Sequence, residues 1–375
     1  MSELFLHIGM SKTGSTSIQG AFHAARGALI GHGYDYLDMG QNHSRIIKMV
    51  VKGRSKRVKG AAADRLGLAR NVGGFDVGRV AGPFMDLIRQ PKAARMIMSG
   101  EGLFRVEERE ADGLHDVLSR HFERIRIVAY LRDPFSWASS RAQENIKHGH
   151  PVSELAATVG DDPASSPIVP NYRRSLERFI ERFGRDAVDL RLFDRRRMVG
   201  GDLIADFAAA IGAGPEVVAL LPRPWNNPRT SAEAAQLIEQ HYIALRRRWA
   251  GPLKRGLFKD YDITSLEYWF RKNLRERPGP AFTLPRPLLE RIWQESLPDV
   301  EWLRGEMNDP SVFADCRPPD DAPAVWSSEE KAGEIARLER EIGRRRRSEA
   351  ALILRHAQER RFGTVLADLG GMMRP

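Results

Sequence analysis

The chain has one cysteine, Cys316, in 375 residues. A single thiol excludes an intrachain disulfide and a cysteine-built metal cluster. Its ten histidines show no metal-ligand spacing, so no metal site is expected. No apolar run approaches the roughly 18 residues that a spanning helix needs. The first residues lack the basic, then apolar, then small-residue order of a cleaved secretion signal. These absences make a soluble, cytoplasmic protein the expectation. Internal repeats and a specific nucleic-acid-binding motif are also missing.

Positive charge and apolar residues are in good supply. Lys and Arg number 59 against 49 Asp and Glu, a balance of +10. That balance favours anionic partners (phosphates, sulfates, acidic sugars, nucleic acid or a membrane surface) without choosing among them. Hydrophobic residues make up 42%, enough for a sizeable core.

The apolar pattern predicts strands at 4–8 (LFLHI), 94–99 (ARMIMS), 125–131 (IRIVAYL) and 187–193 (AVDLRLF). Between and after them, residues 15–29, 202–212, 230–249 and 286–307 read as helices. Ile18, Phe22, Ala25 and Leu29 share one face of the first. Near-continuous apolar strands alternating with helices predict an α/β fold, a mostly parallel central sheet flanked by helices. The basic stretch 48–59 (KMVVKGRSKRVK) reads as a mobile loop.

A Pro/Asp-rich linker at 316–330 is expected to end a domain of residues 1–315 and to lead into a basic helical tail, 331–375. Ile335, Leu338 and Ile342 form a short apolar seam that Arg345 interrupts, so a short coiled coil is the most the seam supports. Lys331–Arg361 holds ten Lys/Arg and five Glu, half of the whole chain's charge balance. Self-association, attachment to an anionic or membrane surface, and a plain solvated helix are the alternatives the tail leaves open.

The chemistry concentrates in two short segments. The first, GMSKTGSTS at 9–17, follows the first strand and opens the first helix. Backbone N–H groups at such a turn point at an anion, and the helix end adds about half a positive charge. Gly9 and Gly14 let the backbone approach closely. Thr13, Ser15, Thr16 and Ser17 offer hydroxyls, and Lys12 offers a charge. A nucleotide-triphosphatase loop places its lysine directly after the second glycine; here that position is Ser15 and the lysine stands three residues earlier. The second segment, RDPFSWASS at 132–140, begins at the C-terminal end of a buried strand, where open α/β sheets bind ligands. Pro134 suits a first helical turn, Ser136 and Ser140 share a helix face, and Arg132 with a serine can grip one phosphate.

Together these segments resemble the two cofactor signatures of the P-loop sulfotransferase superfamily, in its bacterial carbohydrate-sulfotransferase-like form. KTGSTS is similar to the 5′-phosphosulfate loop. Arg132 and Ser140 have the spacing of the 3′-phosphate motif. The opening resembles HIG-x-x-KTGTT-x-x-Q, down to Gln19. The resemblance implies a sulfotransferase-like P-loop fold and the donor 3′-phosphoadenosine 5′-phosphosulfate, released as adenosine 3′,5′-bisphosphate, with no metal. It also implies that Lys12 serves the bridging oxygen, that Thr13, Gly14, Ser15, Thr16 and Ser17 cradle the 5′ end, and that Arg132 and Ser140 hold the 3′-phosphate. Ser11 stands where cytosolic members carry proline, and Ser17 where they carry an adenine-stacking tryptophan, which disfavours a small-phenol enzyme.

A base must take the acceptor's proton. Glu101, in SGEGLF just beyond the second predicted strand, leads; carbohydrate members of the family commonly use a glutamate, and the alternative is a plain helix-end carboxylate. His43, in QNHS, is the second candidate. His7 reads as structural. Asn227 and Arg229 of NNPRTSAEA are weaker nucleotide-closing candidates. The expected acceptor is a hydroxyl of a carbohydrate or another polar molecule. The alternatives are a non-catalytic P-loop scaffold and a P-loop kinase, the latter disfavoured by Ser15 in the lysine position.

Overall fold

The computed structural model describes residues 2–52, 77–160, 165–223, 230–249, 277, 279–338 and 340. Most of the predicted basic loop 48–59, Asn227, Arg229 and the tail beyond Arg340 lie outside the described residues. In chain order, the elements are β1 (Glu3–His7), α1 (Ser15–Ile30), β2 (Tyr34–Tyr36), α2 (Ser44–Lys52), α3 (Val77–Arg89), β3 (Arg95–Ser99), α4 (Glu108–Ser119), β4 (Arg124–Leu131), α5 (Pro134–Lys147), α6 (Val152–Ala157), α7 (Tyr172–Phe183), β5 (Val188–Leu192), α8 (Leu203–Ala210), α9 (Pro215–Leu220), α10 (Ala232–Trp249) and α11 (Arg286–Met307).

The five strands form one parallel sheet in the order β2-β3-β1-β4-β5. The expected α/β class holds. The four predicted strands are β1, β3, β4 and β5; β2 is an addition, a three-residue edge strand. Leu4, Phe5 and Leu6 of β1 and Ile127–Leu131 of β4 are almost wholly buried, as strands covered on both faces must be. On one face, Ile18, Phe22, Ala25 and Leu29 of α1 pack with Tyr34, Tyr36, Tyr130 and Phe207. The predicted α1 face is thus the buried one.

The strand order matters for chemistry. From β1 the chain goes to β2 at one edge, returns to β3 beside β1, and then crosses to β4 and β5 on the other side. Such a reversal leaves a crevice at the C-terminal ends of the central strands. The loops after β3, β1 and β4 are therefore neighbours. Pairing fixes their register: His7 lies opposite Ser99 of β3 and Val128 of β4. The ladder continues one step past the strands, with Gly100 N–H donating to the His7 carbonyl at 2.9 Å and Ile8 N–H to the Val128 carbonyl at 3.0 Å.

The chain divides into two compact units. The first takes in the described residues of Met1–Glu144, Val152–Arg229 and Thr283–Ala324, and holds the whole sheet. The second takes in those of Asn145–Pro151, Thr230–Phe282 and Val325–Pro375. The predicted linker 316–330 is split between them. In the second unit, α10 buries Glu239, whose carboxylate accepts the Trp326 indole N–H at 2.7 Å and the Ser328 hydroxyl. Phe282 meets the Trp326 ring edge-on at 5.0 Å. Among the described residues, no helix is long and apolar enough to cross a membrane.

Candidate active site

The loop from Ile8 to Gly14 turns sharply between β1 and α1. Gly14 has φ +75°, a backbone that favours glycine, and a Cβ there would stand 2.4 Å from the Leu203 Cδ2 methyl, which would have to move. Lys12 also has a left-handed backbone, φ +67°. A non-glycine residue in that region costs on the order of 1–3 kcal/mol and persists only where its surroundings impose it. Those surroundings are visible. The Lys12 carbonyl accepts from Arg132 Nη1 at 3.0 Å, and the Ser11 carbonyl accepts from the Trp137 indole at 2.9 Å. The Thr13 hydroxyl closes the turn by donating to the Met10 carbonyl at 2.6 Å.

The hydroxyls expected to meet an anion therefore differ. Thr13 has spent its proton on the loop. Ser15 has not: its Oγ is buried and has no hydrogen-bond partner. Thr16 is exposed and Ser17 half-buried on the first turn of α1. Gly9 lets the backbone lie directly against Ser15, since a Cβ there would come within 2.3 Å of Ser15 Oγ. A helix N-terminus, a close backbone approach and an unsatisfied buried hydroxyl suit an oxyanion.

Arg132 sits just past β4. Its guanidinium reaches across to the β1 loop and lies over the Phe193 ring at 5.7 Å. Asp133 caps α5, its carboxylate accepting the Ser136 N–H at 2.8 Å, and Pro134 takes the first helical position. Ser140 follows two turns into α5, half-buried. One turn further on the same face, Glu144 pairs with Lys12 at 3.0 Å. This partner was not singled out from sequence, although the i, i+4 series Ser136, Ser140, Glu144 was there to read.

Glu101 opens a short 3-10 turn, Glu101–Arg105, directly after β3. Burial raises its carboxyl above the usual range. Lys12 and Arg141 pull it back down, and Glu144 pushes it up. These four side chains form one electrostatic group, joining the three loops that the strand order makes neighbours. Arg105 and Arg141 both lie near the Trp137 ring, at 5.8 and 6.0 Å from its centre.

His43 does not behave as a base. It is fully buried, and its Nδ1 accepts the Ser99 N–H at 3.0 Å. Nε2 therefore carries the proton and donates to the carbonyls of Leu37 and Gly40, at 3.0 and 2.9 Å. Burial lowers its pKa to about 4. With both nitrogens committed, no lone pair faces an acceptor. Its neighbour Ser44 accepts the Gly102 N–H at 2.8 Å, and the His43 N–H donates to the Ser99 carbonyl at 2.8 Å. The Asn-His-Ser segment thus clamps the end of β3 and the turn that carries Glu101. Gln19 is buried too, its amide donating to the Ser99 hydroxyl at 3.2 Å.

No family model matches the chain, and no curated protein matches it. A solved structure of a sulfotransferase from Alicyclobacillus acidocaldarius is similar at 14% identity, with 65% of this chain and 94% of that chain covered and a TM-score of 0.37. A likeness that distant says nothing of activity.

Proposed function

We propose that the protein is a sulfotransferase, moving a sulfuryl group from 3′-phosphoadenosine 5′-phosphosulfate to a hydroxyl of a carbohydrate or another polar acceptor. The observation that carries this reading is the convergence of Lys12, Arg132 and Glu101 on adjacent loops at the switch point of the sheet, around an anion cradle whose one unspent buried hydroxyl is Ser15. The resemblance of KTGSTS and of the Arg132–Ser140 spacing to the family's two donor signatures supports it.

When bound, the donor supplies an activated sulfuryl group on a phosphate that departs with negative charge. The chain's own groups have distinct tasks around it. The loop N–H groups, Ser15, Thr16 and Ser17 hold the 5′-phosphate. Arg132 and Ser140 hold the 3′-phosphate, which separates this donor from ATP. Lys12 would stabilise the charge that the bridging oxygen gains as the bond to sulfur breaks, without a metal. Glu101 takes the proton that the acceptor hydroxyl gives up. A carboxyl raised by burial is a better base near neutral pH than an exposed one. Glu144 holds Lys12 until an anion replaces it.

Isothermal calorimetry with adenosine 3′,5′-bisphosphate, the analogue lacking the 3′-phosphate, and ATP tests the assignment. Tight binding of the bisphosphate alone is expected. A preference for ATP would point instead to a kinase. Nucleotide binding with no donor turnover across sugars, lipids and peptides would point to a scaffold.

A further inference from the structure

Two polar atoms beneath the phosphate loop have no role in the reading above. His7 Nε2 and Ser15 Oγ are both buried, their residues 0% and 2% exposed, and both lack a hydrogen-bond partner. Both crowd against the same glycine: a Cβ at Gly9 would meet Ser15 Oγ at 2.3 Å and His7 Nε2 at 2.8 Å. Leaving a buried polar group unsatisfied is costly. Two such groups beside each other, at the end of the central strand, call for an explanation.

The rest of His7 is fixed. The ring is held between Tyr130, edge-on at 6.1 Å, and Phe207 at 5.3 Å. Its Nδ1 lies 2.8 Å from the Ser99 hydroxyl, which also receives the Gln19 amide. Complete burial keeps the ring neutral, with its pKa lowered to about 3. A neutral imidazole has one N–H and one lone pair. If Ser99 donates to Nδ1, the remaining N–H sits on Nε2, on the Gly9 side of the ring.

That direction is what an anion site requires. A serine hydroxyl has a single proton, and an oxyanion accepts only protons. Ser15 can turn its proton to a phosphate at least cost when another donor satisfies its own oxygen.

We infer that His7 is a positioning residue of the phosphate loop: its Nε2–H, unpaired in this structure, donates to Ser15 Oγ when the anion binds, so that the Ser15 proton points at the bound 5′-phosphate. The donors then run one way, from the Gln19 amide through Ser99, His7 and Ser15 to the anion. This inference rests on the loop being the donor's 5′-phosphosulfate site. The Tyr36 hydroxyl is also within hydrogen-bond reach of Ser99. Were Ser99 to donate there, His7 would carry its proton on Nδ1 and present a lone pair to the loop, and the inference would fail.

Two measurements decide it. The first is the side-chain ¹⁵N spectrum of the histidines in the unliganded protein, with His7 assigned by comparison with a His7→Gln variant. A neutral Nε2–H tautomer is expected, with a shift that changes when adenosine 3′,5′-bisphosphate is added to the parent and changes less in Ser15→Ala. An Nδ1–H tautomer overturns the inference. The second is calorimetry with adenosine 3′,5′-bisphosphate on full-length variants. Glutamine keeps an N–H near the Nε2 position, and asparagine keeps only the inner polar group. His7→Gln should stay within about threefold of the parent, and His7→Asn should bind about tenfold or more weakly, a difference of roughly 1.4 kcal/mol. The double variant His7→Asn/Ser15→Ala should bind no worse than Ser15→Ala alone. Fully additive losses overturn the inference. If the parent has no affinity for the bisphosphate, the sulfotransferase reading falls, and the tautomer alone still decides the His7 assignment.

Discussion

At the scale of single residues, the pair Lys12–Glu144 sets what the site does before a ligand arrives. Its atoms are 3.0 Å apart and its side chains about a third exposed, 29% and 34%. An anionic donor must draw Lys12 away from Glu144. Glu144→Gln should therefore tighten binding of adenosine 3′,5′-bisphosphate. It should also move the acid limb of the kcat/KM profile. Burial is the main cause of the raised Glu101 carboxyl, Lys12 and Arg141 lower it, and Glu144 raises it. Removing the Glu144 charge removes an upward push and leaves Lys12 freer to pull down. Glu101 should then lose its proton at lower pH, and the limb should shift the same way. A limb that stays put, or moves up, would count against Glu101 as the base. Lys12→Ala should act differently from Arg132→Ala. In the proposed reaction Lys12 would meet charge that grows in the transition state, so its loss should appear mainly in kcat, by about 10² to 10³. Arg132 would meet a phosphate that does not react, so in that reading its loss should appear mainly in donor affinity, with some loop loosening because it also holds the Lys12 carbonyl. Steady-state rates with calorimetry separate the two, and equal, purely affinity-type losses in both variants would refute the division.

At the scale of elements, the sequence was most readable where periodicity was long. The α1 face and the four apolar strands follow directly from burial spacing. β2 was not readable: Tyr-Asp-Tyr is too short for an alternation signal, and its backbone is ordered by pairing with β3. The site was legible as motifs and illegible as roles. Whether Thr13 or Ser15 keeps a spare proton depends on how the loop closes, and only Thr13 reaches the Met10 carbonyl. Glu144 became a partner because α5 runs back past the β1 loop. His43 looked like a base because a loop histidine near an acceptor site suggests one; its contacts make it a clamp on the turn bearing Glu101. His43→Phe keeps the ring but strands the Ser99 N–H and relaxes two carbonyls. It should cost about 2–4 kcal/mol in urea unfolding. In the folded fraction, kcat should fall while bisphosphate affinity holds, because His43 directs its hydrogen bonds to Leu37, Gly40 and Ser99 rather than to the β1 loop. Unchanged stability with a lost acid limb would restore His43 as the base.

At the scale of the whole molecule, the same buried histidines tie stability to pH. His7 and His43 are both fully buried and neutral, with pKa values lowered by burial to about 3 and about 4. In the unfolded chain each returns to about 6.5. Between those limits the unfolded state binds a proton that the folded state refuses, so acid favours unfolding. The sign is fixed by the depressed folded values: stability is intact above pH 6.5 and falls as pH drops toward the folded pKa values. At pH 5 each histidine should have removed roughly 2 kcal/mol, about 4 together. That is a large share of a typical folding free energy of about 5–15 kcal/mol. Carboxylates held low by cation partners, such as Asp206 beside Arg191 and Asp309 near pKa 2 beside Ser311 and Arg197, act below this window. Glu101 and Asp299, raised by burial, oppose the loss only as they begin to protonate. Urea midpoints at pH 7 and pH 5 should differ accordingly, while the ¹⁵N spectrum at pH 5 should show both rings still neutral in the folded protein. A flat stability profile across that interval, or protonated rings in the folded state, would mean that water reaches the polar layer beneath the phosphate loop, and that His7 and His43 are not sealed in the way their hydrogen bonds require.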